Sequence, residues 1–418
     1  MRILNTNKRL IIIDGSSLLS TSFYATATAY TMARTQEDKE KALEKLLKTS
    51  TGIYTNGVYT FMKILLKIID KQKPTHLAIV WDITRDSFRR CVQGGKTYKG
   101  TRKETPNPLK EQFKTTQNLL KDILPQYMSK ANLPNGDKTP QENIYEADDF
   151  AGSLTKRFEG EIPVFLYTKD EDYLQLINYN ARVWLVTSKA DEFFNTCNLE
   201  KDIFNIPDGT FEFTLTSLKD IKGLDPLQII DNKALCGDTA DNIIGVKMIG
   251  PKASIPLLNE YDTIETIYST IEDLNKTEEK ELTKFFKEKL GISRSPIGYL
   301  SKEGIITLSN EEQISYKPIT RKLTEEDIEV NKLIETKFGK LKFPIEIITQ
   351  NGLATLQNND IVNIDYSAKE MAFISKELAT IKTDIEEIKD LKLEDICLNI
   401  DYDKLKSRLL ELEIKSLI

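Results

Sequence analysis

Histidine is almost missing from this chain. His76 is the single histidine among 418 residues, and it lies in an apolar run, HLAIVW, where a buried structural role is expected. Imidazole acid–base chemistry and histidine-built metal sites are poor candidates on that count. Cysteine is scarce as well. Cys91, Cys197, Cys236 and Cys397 are far apart and form no CxxC pair, which argues against a zinc site and for a reduced, cytoplasmic protein. Long apolar runs are lacking. The N-terminal MRILNTNKRLIIIDG reaches a carboxylate after a few apolar residues, so neither a signal peptide nor a membrane span is expected. An excess of positive charge is lacking too. Lys and Arg number 58 against 64 Asp and Glu, a net charge of −6. A nucleic-acid partner would therefore need a local basic patch.

What is present begins with length. A chain of this size holds two or three domains, or one large domain with insertions, and its 40% hydrophobic content supports a sizeable core. Residues 9–13 read as a strand ending at Asp14. Residues 58–69 have helical length and spacing. Residues 76–81 read as a strand ending at Asp82, residues 163–167 as a third strand running into TKDED, and residues 182–187 as a fourth. Strands separated by helices predict an α/β domain with a mainly parallel sheet. Ligands in such domains bind beyond the carboxyl ends of the strands, and three of these four strands deliver a carboxylate there. Two stretches read as additions: residues 35–51, charged and helix-prone, and residues 291–363, which mix β-like pieces with a helical one. Residues 402–412 read as an amphipathic helix.

Five acidic clusters stand out: Asp14; Asp82; Glu146, Asp148 and Asp149 in YEADD; Asp170 and Asp172 in TKDED; Asp238 and Asp241 in GDTADN. Each has an ordinary explanation as a helix cap, a turn residue or an acidic first turn. Together they say more. Nine carboxylates gathered at one sheet edge would repel one another unless cations neutralised them. Hard divalent ions with oxygen ligands, Mg²⁺ or Mn²⁺, are the expected answer. Two such ions ~4 Å apart would clamp a phosphodiester. After Asp82, residues 83–103 carry Arg85, Arg89, Arg90, Lys96, Lys99, Arg102 and Lys103 against Asp86 alone, a local charge of +6, with Phe88 and Tyr98 interleaved. Basic groups track phosphates and aromatic faces stack on unpaired bases, although a solvated basic loop has the same composition.

In order along the chain, IIIDGSSLL, VWDITRDSFR, YKGTR, YEADDFAGSL, TKDEDYLQL and GDTADNIIGVKMIGPKA resemble the motifs of the 5′ nucleases of bacterial DNA polymerase I and the related phage flap endonucleases. The resemblance covers roughly residues 9–290 and resumes near Tyr366. It implies a PIN-like 5′-nuclease fold: an α/β domain over residues 1–190 with a helical arch at 83–110, and a helix–three-turn–helix part over 191–290. The addition at 291–363 follows, then a C-terminal nuclease part over 364–418. A free-standing nuclease with no proofreading or polymerase region is expected.

By the same resemblance, Asp14, Asp82, Glu146 and Asp148 would hold a first ion. Asp149, Asp170, Asp172, Asp238 and Asp241 would build a second site. Arg89 and Lys99 would be catalytic. Arg85, Arg90, Tyr98 and Arg102, with Gly245, Lys247, Gly250 and Lys252 in the glycine-rich turn, would meet DNA, and K⁺ would sit in that turn. The implied substrates are DNA with a 5′ flap, nick or gap, and RNA primers, in replication and repair, handled by a monomer without membrane partners. Three departures bear on the turn. Ile244 replaces a common proline. Met248 replaces a common glycine, so a positive φ there would be strained. Pro256 should kink the second helix. Lys169 and Glu171 beside Asp170 depart from the pattern as well. A DNA-binding scaffold of the same fold without turnover, and a toxin-type single-strand ribonuclease, are the competing readings.

Overall fold

The computed structural model describes residues 7–84, 86–130, 142–201, 205–350 and 352–418. Its centre is a six-stranded sheet in the order β3-β2-β1-β4-β5-β6. The strands are β1 (Leu10–Asp14), β2 (His76–Val80), β3 (Gln126–Tyr127), β4 (Val164–Thr168), β5 (Ala181–Val186) and β6 (Thr210–Phe213). All neighbours pair parallel except β6, which runs antiparallel along β5. Ile12 stands opposite Ala78 on one side and Leu166 on the other.

Alternation along β1 explains why its sequence is an unbroken apolar run. Leu10 and Ile12 face a core built with Phe150, Leu154 and Phe158 of the Ala147–Phe158 helix. Ile11 and Ile13 face the opposite core, with Phe61, Leu65 and Trp81. A parallel sheet covered on both faces needs apolar residues at every position, and each large side chain so buried contributes roughly 2 kcal/mol. Gly15, directly after β1, is required for packing: a Cβ there would lie 2.7 Å from Ile79 and 2.9 Å from Trp81. His76 is buried, as its apolar surroundings imply.

The four strands read from sequence are present. Two edge strands were not foreseen, and β6 carries the α/β part past the expected boundary at residue 190. The addition at 291–363 folds as a four-stranded antiparallel sheet, β10-β7-β8-β9, from β7 (Gly304–Leu308), β8 (Gln313–Pro318), β9 (Ile345–Ile347) and β10 (Ile361–Asp365). It has its own core of Ile306, Ile314, Tyr316, Val330, Ile334, Ile345 and Leu356, and it ends two residues later than expected. The other charged addition contains the helix Gln36–Glu44, capped by Thr35.

Between the sheets lies a helical part that includes Pro226–Cys236, Pro251–Tyr261 and Ile264–Ile271. The Ala368–Ala379 helix packs on Pro226–Cys236. The C-terminal helix Tyr402–Glu411 returns to the first domain, where Leu405 and Leu409 join the core. Within the expected arch, the described residues before Asn107 form only two 3-10 turns, Phe88–Arg90 and Gly95–Thr97, and Tyr98 after them packs with Ile230, Ile374 and Leu378.

Candidate metal centre

Asp14 and Asp170 act as helix caps, the ordinary reading of such residues. Asp14 caps the Gly15–Thr26 helix by accepting from the Ser17 amide at 2.8 Å, and its second oxygen accepts from Thr168 Oγ1 at 2.8 Å. Asp82 leaves β2 and accepts from the Ala147 amide at 2.8 Å, while its own amide donates to Ser16 Oγ at 2.7 Å. The end of β2 is thus tied to the start of the YEADD helix. Asp170, just past β4, accepts from the Asp172 amide at 3.0 Å. These bonds aim the acids at one place, the carboxyl edge of the parallel strands.

Electrostatics shows how close they come. Burial lifts Asp14 to about 6, and the Asp82 charge adds to it. Asp82 is raised by burial and by Glu146. Asp148 is raised by burial, with Asp149 and Glu146 adding. Asp170 is raised by burial, with a contribution from Asp14. Burial and Asp170 push Asp172 up to about 7. Asp14 feels Asp82, Asp82 feels Glu146, Asp170 feels Asp14 and Asp172 feels Asp241, each from a different element, so these acids neighbour one another. Among the described residues, no three are drawn tightly enough to ligate one ion as they stand.

The protein's own cations occupy part of this acidic field. Lys99 pairs with Glu146 and lies 3.7 Å from Asp241. Arg102 pairs with Asp241. Lys233 bridges Asp172 and Asp238, the latter at 2.7 Å. Burial alone would raise Glu146, but Lys99 and Arg89 outweigh it and hold the carboxyl at about 2. Every carboxylate donor here is oxygen, which suits a hard divalent cation.

Two expected site residues are engaged with each other in this structure. Asp149 is fully buried and accepts two bonds from Arg89, each 2.8 Å, plus the amides of Glu146 at 2.9 Å and Lys382 at 2.8 Å. It has no capacity left for an ion. Arg89 is 1% exposed and spends its other donors on the carbonyls of Leu378 at 3.0 Å and Thr380 at 3.1 Å. The pair bolts the C-terminal segment to the YEADD helix, and Arg89 is closed off from a phosphate. Tyr98, expected as a DNA contact, is turned inward. It is 2% exposed, with its hydroxyl on Asp241 at 3.1 Å and Glu146 at 3.3 Å. Arg90 is engaged within its own loop, with Asp86 and the Tyr98 carbonyl. Arg85 lies outside the described residues.

The glycine-rich turn keeps part of its expected character. Gly245 has φ +68°, and a Cβ there would lie 2.2 Å from the Gly237 amide nitrogen. Its need for glycine is internal rather than an approach to phosphate. At Gly250 a Cβ would meet open space. Lys247 and Lys252 are exposed beside it. Met248 has φ +69°, the strained state its position predicts. The Pro251–Tyr261 helix continues across Pro256, where a kink was expected.

With this geometry in view, comparison with known proteins is direct. The family model described as the 5′-3′ exonuclease N-terminal resolvase-like domain matches residues 9–203, and the one described as the 5′-3′ exonuclease C-terminal SAM fold matches residues 224–319. The "5′-3′ exonuclease" of Halalkalibacterium halodurans is 33% identical over 269 residues, 64% of this chain and 74% of that protein. The chain belongs to the 5′-3′ exonuclease family. DNA polymerase I of Bacillus subtilis is 32% identical over 289 residues, 69% of this chain but 27% of the polymerase. The chain therefore corresponds to only part of the length of its polymerase relatives. Among solved structures, the T5 D15 protein co-crystallised with metal ions aligns over 68% of this chain and 86% of that one, at 18% identity and a TM-score of 0.44. The catalytic core of Rad2 in complex with DNA substrate aligns at 16% identity and a TM-score of 0.35, over 68% of this chain and 74% of that one.

The second family match runs through β8, into the segment that reads as an addition from sequence. Several pocket residues escaped the sequence reading. Lys233 stands one helical turn before GDTADN, and that spacing was its only signal. Ser87 donates to Glu146 at 2.6 Å and Thr168 to Asp14. Both are small hydroxyl residues with no distinguishing pattern.

Proposed function

We propose that this chain is a metal-dependent 5′-3′ exonuclease and flap endonuclease, acting on phosphodiesters at single-strand/duplex junctions of DNA and on RNA primers, in replication and repair. The observation that carries the proposal is the all-oxygen pocket at the carboxyl edge of the sheet, where burial and mutual repulsion lift Asp14, Asp82, Asp148 and Asp170 above the ordinary carboxylate range. In this reading Asp14, Asp82, Glu146 and Asp148 hold one Mg²⁺ or Mn²⁺, and Asp170, Asp172, Asp238 and Asp241 hold a second. Bound ions of this kind neutralise the acids, polarise the phosphodiester and make water a usable nucleophile. Lys99, at the mouth of the pocket, turns its ammonium toward the phosphate once Glu146 has another counter-charge. The exposed Lys247 and Lys252, with open space at Gly250, grip the duplex backbone, and K⁺ in residues 245–250 belongs to the same reading, as does a cytoplasmic monomer.

A second reading, a junction-binding scaffold with weak turnover, draws on the internal ion pairs of Lys99, Arg102 and Lys233, which already occupy the pocket. Product analysis on a 5′-labelled flap, with and without Mg²⁺, separates the two. The nuclease reading expects cuts near the junction, with 5′-phosphate and 3′-hydroxyl ends, only when Mg²⁺ is present. Tight junction binding without product at any metal concentration hands the case to the scaffold, and neither binding nor cleavage removes both.

A further inference from the structure

The Lys276–Glu288 helix carries a row of lysines that its own fold does not use. The helix is capped by Asn275, whose side chain accepts from the amides of Thr277 at 2.9 Å and Glu278 at 3.1 Å. Phe286 is buried, and Leu282 and Phe285 pack against the same core. Lys276, Lys280, Lys284 and Lys287 stand on the opposite face, and all are exposed. At 3.6 residues per turn the four fall within about 80° of arc, and Glu278, Glu279, Glu281 and Glu288 fall outside it. Among the described residues, none of the four ammonium groups has an ion pair or a hydrogen bond. The arrangement works against the helix taken alone. Lys276 with Lys280, and Lys280 with Lys284, are like charges at i,i+4, and Lys284 with Lys287 at i,i+3, spacings at which like charges destabilise. Lys276 also opens the helix, at the end where the dipole disfavours a cation. A polyanion lying along the row would remove this repulsion.

The chemistry of the row selects among polyanions. Lys276, Lys280 and Lys284 rise in steps of about 6 Å along the axis, a line of charge rather than one point. No aromatic or large apolar side chain stands within the arc. The face therefore offers neither a stacking platform for unpaired bases nor an anchor for a protein partner. Phosphates in a regular backbone are what it suits. On the inner side, Phe286 meets Tyr261 edge to face, ring centroids 6.3 Å apart, at the last residue of the Pro251–Tyr261 helix. The row thus lies past the far end of the helix that begins beside Lys247 and Lys252. We propose that Lys276, Lys280, Lys284 and Lys287 form a sequence-independent track for the phosphate backbone of duplex DNA, extending the grip assigned to Lys247 and Lys252. The inference rests on the DNA-processing reading above.

The test compares the full wild-type chain with two double variants, Lys280→Ala with Lys284→Ala, and Lys280→Arg with Lys284→Arg. Fluorescence anisotropy of a labelled DNA duplex, in EDTA and at several KCl concentrations, gives the slope of log affinity against log salt. The alanine variant should lose about 2 from the magnitude of that slope, close to one for each phosphate contact removed, and the arginine variant should keep it. The melting temperature of the alanine variant should stay unchanged or rise, because two like-charge neighbours are gone and alanine favours the helix. Weaker binding with undiminished stability is the expected result. An unaltered slope in the alanine variant overturns the proposal and leaves the row a solvated face. A smaller slope together with a lower melting temperature also overturns it, because a loosened helix explains both. Loss of slope in the arginine variant overturns it too, since charge is then not the cause. If wild type binds no duplex at any salt concentration, the DNA-processing reading falls as well. If wild type binds and the alanine variant keeps its slope, only this inference falls.

Discussion

Replacing Asp149 with alanine removes the partner that binds Arg89 through two charged hydrogen bonds in the interior. The guanidinium loses two bonds of 2.8 Å, and the amides of Glu146 and Lys382 lose their acceptor. Breaking a buried ion pair by deleting one side destabilises by roughly 3–5 kcal/mol, because the remaining charge is left without compensation. Glu146 at 3.5 Å and Asp148 at 3.6 Å from the Arg89 nitrogens take up part of that charge, which places Asp149→Ala at the lower end, about 3 kcal/mol. Urea titration in EDTA measures the loss. Arg89→Met, Asp149→Leu and their combination complete a double-mutant cycle, and the double variant should destabilise by about 2 kcal/mol less than the sum of the singles. The opposite pattern would refute the reasoning: Asp149→Ala within about 0.5 kcal/mol of wild type but with Mn²⁺ binding abolished. Asp149 would then be an ion ligand, as the resemblance implied.

Three further predictions follow from the same geometry. Asp14 is lifted to about 6 and Asp172 to about 7, so the native state keeps these protons to higher pH than the unfolded chain does. Metal-free stability therefore falls as pH rises from about 4 through 7, by about 3 kcal/mol from Asp14 alone. Melting in EDTA and in Mg²⁺ at pH 5 and pH 7.5 checks this, and an Mg²⁺ gain that is no larger at pH 7.5 contradicts it. Lys252→Ala should reduce the slope of log affinity for duplex against log salt by about 1, and an unaltered slope takes the turn off the binding surface. Met248→Gly should stabilise by about 0.5–1 kcal/mol, since φ +69° is left-handed for an exposed side chain. A lower urea midpoint would show that Met248 earns its place by a contact instead.

What the sequence disclosed, and what it hid, follows from the range of the interactions. Asp14, Asp82 and Asp170 were legible because an apolar run ending at a carboxylate is a local signal, and a parallel sheet sends every such ending to one edge. YEADD was legible because its acids open a helix with a clear apolar face. The role of Asp149 was not, because it depends on Leu378, Thr380 and Lys382, more than two hundred residues away, closing over Arg89. Tyr98 looked like a stacking platform because composition cannot tell whether a loop stands clear or lies down. Gly245 looked like a place for phosphate because its neighbour Gly237 enters only through tertiary contact. The edge strand β6 has four residues, TFEF, too short for alternation to distinguish it from a turn.

Anomalous diffraction from crystals soaked in Mn²⁺ tests the central claim most directly. The account predicts Mn²⁺ peaks bounded by Asp14, Asp82, Asp148 and Asp170, with Asp149 still closed on Arg89. An empty pocket at saturating Mn²⁺, or a peak on Asp149 with Arg89 swung away, would contradict it.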